Sequence, residues 1–295
     1  MRYGDAVSFR QALEQRFRDS ASGDAARLSR MRKRVAFERL LARLATVAPE
    51  RWLLTGGFAI DLRLPDTARA TLDIDIEWRG EQDRLIDTLI DASALRTADF
   101  FAFSIERAAT DDDRFAGSQR FRVESSLAGR LFEAFPLDVG FERGTRRGER
   151  LVSDLLGFAG IEPVAVLVIA GESHVAEKLH AYSRTYGDRP STRVKDLVDL
   201  ILIAAAIELD AATLSAEITA TFDRRATHAV PTALTPPPAD WSAPYRSLAT
   251  EVGIPRAIRD GHASAARLLD PVLGQEKLLA TWRPREGSWT PNARP

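Results

Sequence analysis

The stretch WLLTGGFAIDLRLPDTARATLDIDIEW, Trp52 to Trp78, constrains the fold more than any other part of the chain. A short apolar strand runs into Thr55-Gly56-Gly57. A helix of about two turns follows, and a polar loop through Pro65 leads to a second strand carrying Asp73 and Asp75. Glycines at a strand-to-helix turn let backbone N–H groups approach a phosphate at a helix N-terminus, where the unpaired donors and the dipole favour an anion. Asp73 and Asp75 are two apart in extended chain, so both side chains leave one face, while Leu72, Ile74 and Ile76 are expected to point into the core. Two adjacent carboxylates repel each other unless a cation lies between them. Hard oxygen ligands of this kind suit Mg²⁺, which also holds substrate phosphates. A phosphate-cradling turn followed by a same-face Asp pair therefore points to metal-dependent phosphoryl or nucleotidyl transfer.

Composition narrows the alternatives. At 295 residues and 45% hydrophobic content the chain can bury a substantial core in two domains or lobes. With no cysteine, disulfides, thiol catalysis and cysteine-bound zinc are excluded, and four scattered histidines argue against a histidine-bound zinc. The net charge is −1, yet the first 50 residues hold eleven Arg or Lys against six Asp or Glu, a surplus that suits either a nucleic-acid contact or, more commonly, a solvated helical face. The start, MRYGDAVSFRQ, lacks the apolar centre of a signal peptide, and the apolar runs 163–170 and 197–207 are too short or too charged to span a bilayer. The expected location is the cytoplasm, with no membrane partner.

Residues 8–48 carry two amphipathic helical patterns broken at Gly23, the second with Val35, Leu40, Leu41 and Leu44 on one stripe. After the Asp pair the pattern predicts a helix over 81–94, then strands over 100–106, 119–125 and 131–141. Asp111-Asp112-Asp113, between the first two strands, reads as a solvated loop. Asp138 is different: in FPLDVGF it stands among apolar neighbours, where an unpaired carboxylate is costly. It is a natural third metal ligand, with pairing to a nearby arginine as an equal alternative. Beyond it come an apolar strand over 161–170, a helix containing Lys178 and closed by Gly187, a polar loop over 188–192, and the helix RVKDLVDLILIAAAIE. In that helix Asp196 and Asp199 share a face, and with Lys178 and Lys195 they could equally form a charged rim on buried helices. A helix over 211–225 precedes the proline-rich connection 231–244, in which Trp241 is the expected packing anchor. Helices are predicted over 245–252 and 254–269, and the tail after Trp282 reads as poorly ordered.

Four motifs in order, TGGFAIDLR, TLDIDIEW, VAEKLHAYSR and RVKDLVDL, with the FPLDVGF strand between the second and third, resemble the AbiEii/AbiGii-type nucleotidyltransferase toxins (MenT-like) of type IV toxin–antitoxin systems. The resemblance spans about 52–241 and extends to FDRRATHAVP. It implies an α+β fold: a polymerase-β-type nucleotidyltransferase core, with a small mixed sheet and flanking helices, plus a helical C-terminal lobe. The expected divisions are an N-terminal helical segment 1–48, a core 49–170 and a mostly helical lobe 171–295. The implied reaction is Mg²⁺-dependent transfer of NMP from an NTP to the tRNA 3′ acceptor end, blocking aminoacylation and translation. Transfer to a protein or small molecule, or nucleotide binding without catalysis, is the alternative. A nearby-encoded antitoxin is the implied further partner. In the family's pattern Gly56, Gly57, Asp73 and Asp75 form the nucleotide and metal site. Lys178 falls on the lysine of its AEK motif, and Lys195, Asp196 and Asp199 fall on its Lys/Arg-Asp-x-x-Asp motif. Asp138 joins as metal ligand or general base, Lys178 offsets triphosphate charge, and Asp196 or Asp199 positions Lys178 or the sugar. Arg225 and Lys195 are secondary phosphate contacts. The chain departs from the pattern at Phe58, where many members carry Ser or Thr, and Thr55 is the expected substitute phosphate contact.

Overall fold

The computed structural model describes residues 1–65, 67–108, 117–141, 146–184, 193–274 and 278–292. The expected loops at Asp111–Asp113 and 188–192 and the helix stop at Gly187 lie outside them. The chain divides into two compact units, one of residues 1–62 and 70–168, the other of 63–69 and 169–295.

The first unit begins with α1 (Ala6–Ala21) and α2 (Ala25–Val47). Each has an aspartate at its N-cap: Asp5 accepts from the backbone N–H of Val7 and Ser8, and Asp24 from those of Ala26 and Arg27. Between the helices Ser22 and Gly23 adopt φ of 50° and 88°, the left-handed region that turns the chain back and suits glycine. Val35, Leu40, Leu41 and Leu44 are all buried, as the stripe predicts.

A seven-stranded mixed sheet forms the centre, in the order β3-β4-β5-β2-β1-β7-β6. Its strands are β1 (Trp52–Thr55), β2 (Ile74–Trp78), β3 (Phe101–Arg107), β4 (Ser118–Leu127), β5 (Arg130–Gly140), β6 (Gly148–Ser153) and β7 (Val164–Ile169). α3 (Gly56–Arg63) follows β1 directly, and α4 (Arg84–Ala94) lies between β2 and β3. β2 runs antiparallel to β1 and parallel to β5, while β4 is antiparallel to both β3 and β5. One face is covered by an aromatic core in which Phe37 packs edge-on to Phe58 and Phe135 at centroid distances of 4.9 and 4.6 Å. β6 had no counterpart in the sequence reading, because GERLVS offers little apolar alternation.

The N-terminal arginines are mostly committed inside this unit. Arg43 is fully buried and pairs with both oxygens of Asp99 at 2.9 and 2.8 Å. Burial acts to raise the Asp99 pKa, but the Arg43 hydrogen bonds and charge outweigh it and hold the carboxyl below its usual range. Arg32 meets Glu14, Lys33 meets Glu133, and Arg34 meets Asp61. Arg10 donates to the carbonyls of Leu127, Arg130 and Leu131 at the β4–β5 turn. These basic residues thus tie the N-terminal helices to one another, to α3 and to the sheet.

The second unit contains α5 (Gly171–Ser183), α6 (Val194–Ala206), α7 (Ala211–Arg225), α8 (Ser242–Val252) and α9 (Ile258–Leu273). It also has a small sheet of β8 (Leu209–Asp210), β9 (Ala280–Arg283) and β10 (Ser288–Pro291). The last hairpin corrects the expectation of a poorly ordered tail. Trp282 is 2% exposed, donates from its indole N–H to the Ala204 carbonyl at 2.7 Å and packs on Trp289. These tryptophans supply the buried area that the rest of the short strands ATWR and SWTP lacks. Trp241 is buried against Tyr182, as the anchor reading predicts. Among the described residues no helix is long and apolar enough to cross a membrane.

Candidate active site

Sheet register builds the acidic cluster. Thr55 in β1 is opposite Asp75 in β2, Asp75 is opposite Asp138 in β5, and Asp138 is opposite Arg120 in β4. Asp73 directly precedes β2. Carboxylate oxygens of Asp73, Asp75 and Asp138 all lie within 4.8 Å of one another, and each residue is half-buried. At such separations each like-charged pair repels by about 3–4 kcal/mol at an effective dielectric of about 20. Ile74 and Ile76 are buried as expected, but Leu72 is 65% exposed: it precedes the strand, so the alternation that would turn it inward has not begun.

The turn before α3 fits tightly against this cluster. Gly56 has a φ of 65°, and a Cβ placed on it would lie 1.9 Å from Asp75 Oδ2. Only a residue without a side chain lets the turn and the carboxylate share this space. The Thr55 hydroxyl donates to the Asp75 carbonyl at 3.3 Å, so as a phosphate donor it would have to leave that bond. Thr71 donates to Asp73 Oδ1 at 3.3 Å. Phe58 is fully buried against Phe37, so this position faces the core, and its lack of a hydroxyl follows from packing.

Arg120 was not anticipated. Its Nε and Nη2 donate to Asp138 Oδ1 and Oδ2, both at 2.6 Å. These hydrogen bonds raise its pKa most, burial opposes, and the charges of Asp138, Asp73 and Asp75 add to the rise. Three carboxylates thus share the Arg120 guanidinium. The clustered carboxylates, hard oxygen donors from separate chain positions, fit a divalent cation.

The second unit gathers another set of the expected residues. Lys178 lies 2.7 Å from Asp199 and 3.2 Å from Asp196, and Arg69 also pairs with Asp199 through Nε at 2.8 Å and Nη2 at 2.9 Å. Burial acts to lower the Lys178 pKa, but Asp199 and Asp196 outweigh it and keep the ammonium charged above its ordinary range. For Asp199 burial acts upward, and the charges of Lys178 and Arg69 drive the net shift strongly down. Lys195 is exposed and sits outside the buried part of this cluster. Arg225, also exposed, pairs with Glu177 at 3.0 Å. Arg69 escaped the sequence reading because it lies in an irregular segment with no period or motif to mark it.

The profile of the AbiEii nucleotidyltransferase toxin family of type IV toxin–antitoxin systems matches residues 39–273. No curated protein matches the chain significantly in sequence. In structure it is similar to MenT4, a nucleotidyltransferase toxin from Mycobacterium tuberculosis H37Rv, with a TM-score of 0.60, 17% identity and 90% of each chain covered. A candidate nucleotidyltransferase from H. pylori aligns with 13% identity, a TM-score of 0.46, and coverage of 82% of this chain and 95% of that one. The antibiotic-resistance factor ANT(2'')-Ia aligns with 16% identity, a TM-score of 0.35, and coverage of 65% of this chain and 94% of that one. The MenT4 match agrees with the mixed sheet and flanking helices built above. The chain belongs to the AbiEii family of type IV nucleotidyltransferase toxins, a membership that brings with it an NTP substrate and an antitoxin.

Proposed function

We propose that this protein is a Mg²⁺-dependent nucleotidyltransferase that moves the NMP of an NTP onto the tRNA 3′ acceptor end. The extended tRNA cannot be aminoacylated, and translation stops. The observation that carries the reading is the Asp73–Asp75–Asp138 cluster against Gly56. Asp73, Asp75 and Asp138 are the proposed Mg²⁺ ligands. Mg²⁺ held there would neutralise triphosphate charge and polarise the α-phosphate. Gly56 and Gly57 offer backbone N–H groups to the triphosphate. Lys178 is the proposed cation for the leaving group, Asp196 and Asp199 set its position, and Lys195 and Arg225 add phosphate contacts from exposed sites. The acceptor 3′ oxygen forms the new bond to the α-phosphorus, the α–β bridging bond breaks, pyrophosphate leaves and the hydroxyl proton passes to water. The cytoplasm, where tRNA and NTP meet, is the proposed location.

The purified protein, incubated with α-labelled NTPs, total tRNA and total protein, should place label on tRNA 3′ ends. Label on protein or a small molecule alone overturns the tRNA assignment while keeping the transferase; no label with any NTP overturns both.

A further inference from the structure

The third carboxylate of the triad is already engaged. Arg120 stands opposite Asp138 across the β4–β5 ladder, and its fork takes both carboxylate oxygens at 2.6 Å. Asp73 and Asp75 are close enough for their charges to act on the same guanidinium. A two-point guanidinium–carboxylate pair is strong and geometrically exacting: it takes one lone pair of each Asp138 oxygen and sets a positive charge where a metal ion would bring its own, so the two cations oppose each other at this carboxylate. The Arg120 side chain is 29% exposed and that of Asp138 15%, so the opposition is only partly screened by water.

We infer that Arg120 is the internal counter-cation of the acidic triad, holding Asp138 in place and competing with the divalent cation for it, so that it sets how tightly the site loads. This rests on the triad being a metal site. In Arg120's absence three carboxylates would crowd within 4.8 Å with no positive partner from β4, and their affinity for a divalent ion would rise. Arg120 is a positioning residue in this account: it acts on the reaction through Asp138.

The test is Mn²⁺ binding to the full chain, followed calorimetrically and by Mn²⁺ spin resonance, with no nucleotide present. Arg120→Gln should bind Mn²⁺ at least about tenfold more tightly than wild type, equivalent to roughly 1.4 kcal/mol. The gain should vanish in Arg120→Gln/Asp138→Asn. Arg120→Lys keeps the charge but loses the fork, so its affinity should fall between the two. It also serves if Arg120→Gln fails to fold. Affinity in Arg120→Gln equal to or weaker than wild type, or a gain that survives in the double variant, overturns the inference. If Arg120→Gln does not fold, wild-type affinity in Arg120→Lys overturns it. Failure of every variant and of wild type to bind Mn²⁺ defeats the metal-site reading itself.

Discussion

Gly56→Ala isolates the geometry that the proposed chemistry depends on. The new Cβ would start 1.9 Å from Asp75 Oδ2, and real Cβ contacts below 3.0 Å essentially do not occur. The carboxylate therefore has to retreat by about 1 Å, a misplacement that costs on the order of 100-fold in rate where groups must be held in register. The φ of 65° adds a left-handed penalty of roughly 1–2 kcal/mol, which lowers Tm by roughly 2–8 °C in a domain of this size. Gly23→Ala separates the two effects. Gly23 has a φ of 88° but nothing within 4 Å of an added Cβ, so it should lose similar stability and keep full activity. The assay is NMP incorporation at saturating NTP, with calorimetric Tm on the same samples. Gly56→Ala retaining wild-type turnover, or Gly23→Ala losing as much turnover as Gly56→Ala, would refute the reasoning.

Asp138→Asn should reduce NMP transfer at least about tenfold, because it removes one carboxylate of the acidic cluster and the charged partner of Arg120; wild-type incorporation by the variant would contradict this. Lys178→Ala should abolish toxicity in cells and, by leaving Asp196 and Asp199 buried with less positive charge, cost about 3–5 kcal/mol in denaturant unfolding. Asp199, with its folded pKa depressed, contributes stability that is complete above the unfolded carboxyl value of about 4 and is lost as pH falls further, so the acid limb of the stability curve should flatten in Asp199→Asn. His180 acts in the same direction in a higher pH window. Burial and the neighbouring His228 push its pKa from 6.5 down to about 4, so the unfolded chain binds the extra proton first. Stability should fall as pH drops from 6.5 towards 4, and His180→Gln should remove that slope.

How much of this could be read from the chain depended on whether the signal was local. Gly56, Asp73 and Asp75 lie within twenty residues of each other, and although Asp73 just precedes β2, the two carboxylates do come together as the two-residue spacing suggests. Asp138 stood out because its neighbours are apolar; the arginine pairing raised for it is observed, and it also lies in the acidic cluster proposed to hold the metal. That the arginine is Arg120 follows from β4–β5 register, which turn geometry and packing set together and no single segment reveals. Leu72 misled because the strand period was carried two residues upstream of the strand's start at Ile74. Phe58 looked like a departure at the phosphate turn, whereas its ring belongs to the Phe37–Phe135 core. The β9–β10 hairpin was hidden because four-residue strands rich in polar groups owe their order to Trp282 and Trp289, a tertiary effect.

The central claim is that the carboxylate cluster transfers nucleotides to tRNA, and the most direct measurement is the mass of tRNA 3′ ends after incubation with the purified protein, Mg²⁺ and each NTP. The account predicts a gain of whole NMP units with wild-type protein, and no gain with Asp75→Asn of equal Tm or without divalent metal. Unchanged tRNA mass with active wild-type toxin, or equal extension by Asp75→Asn, would contradict it.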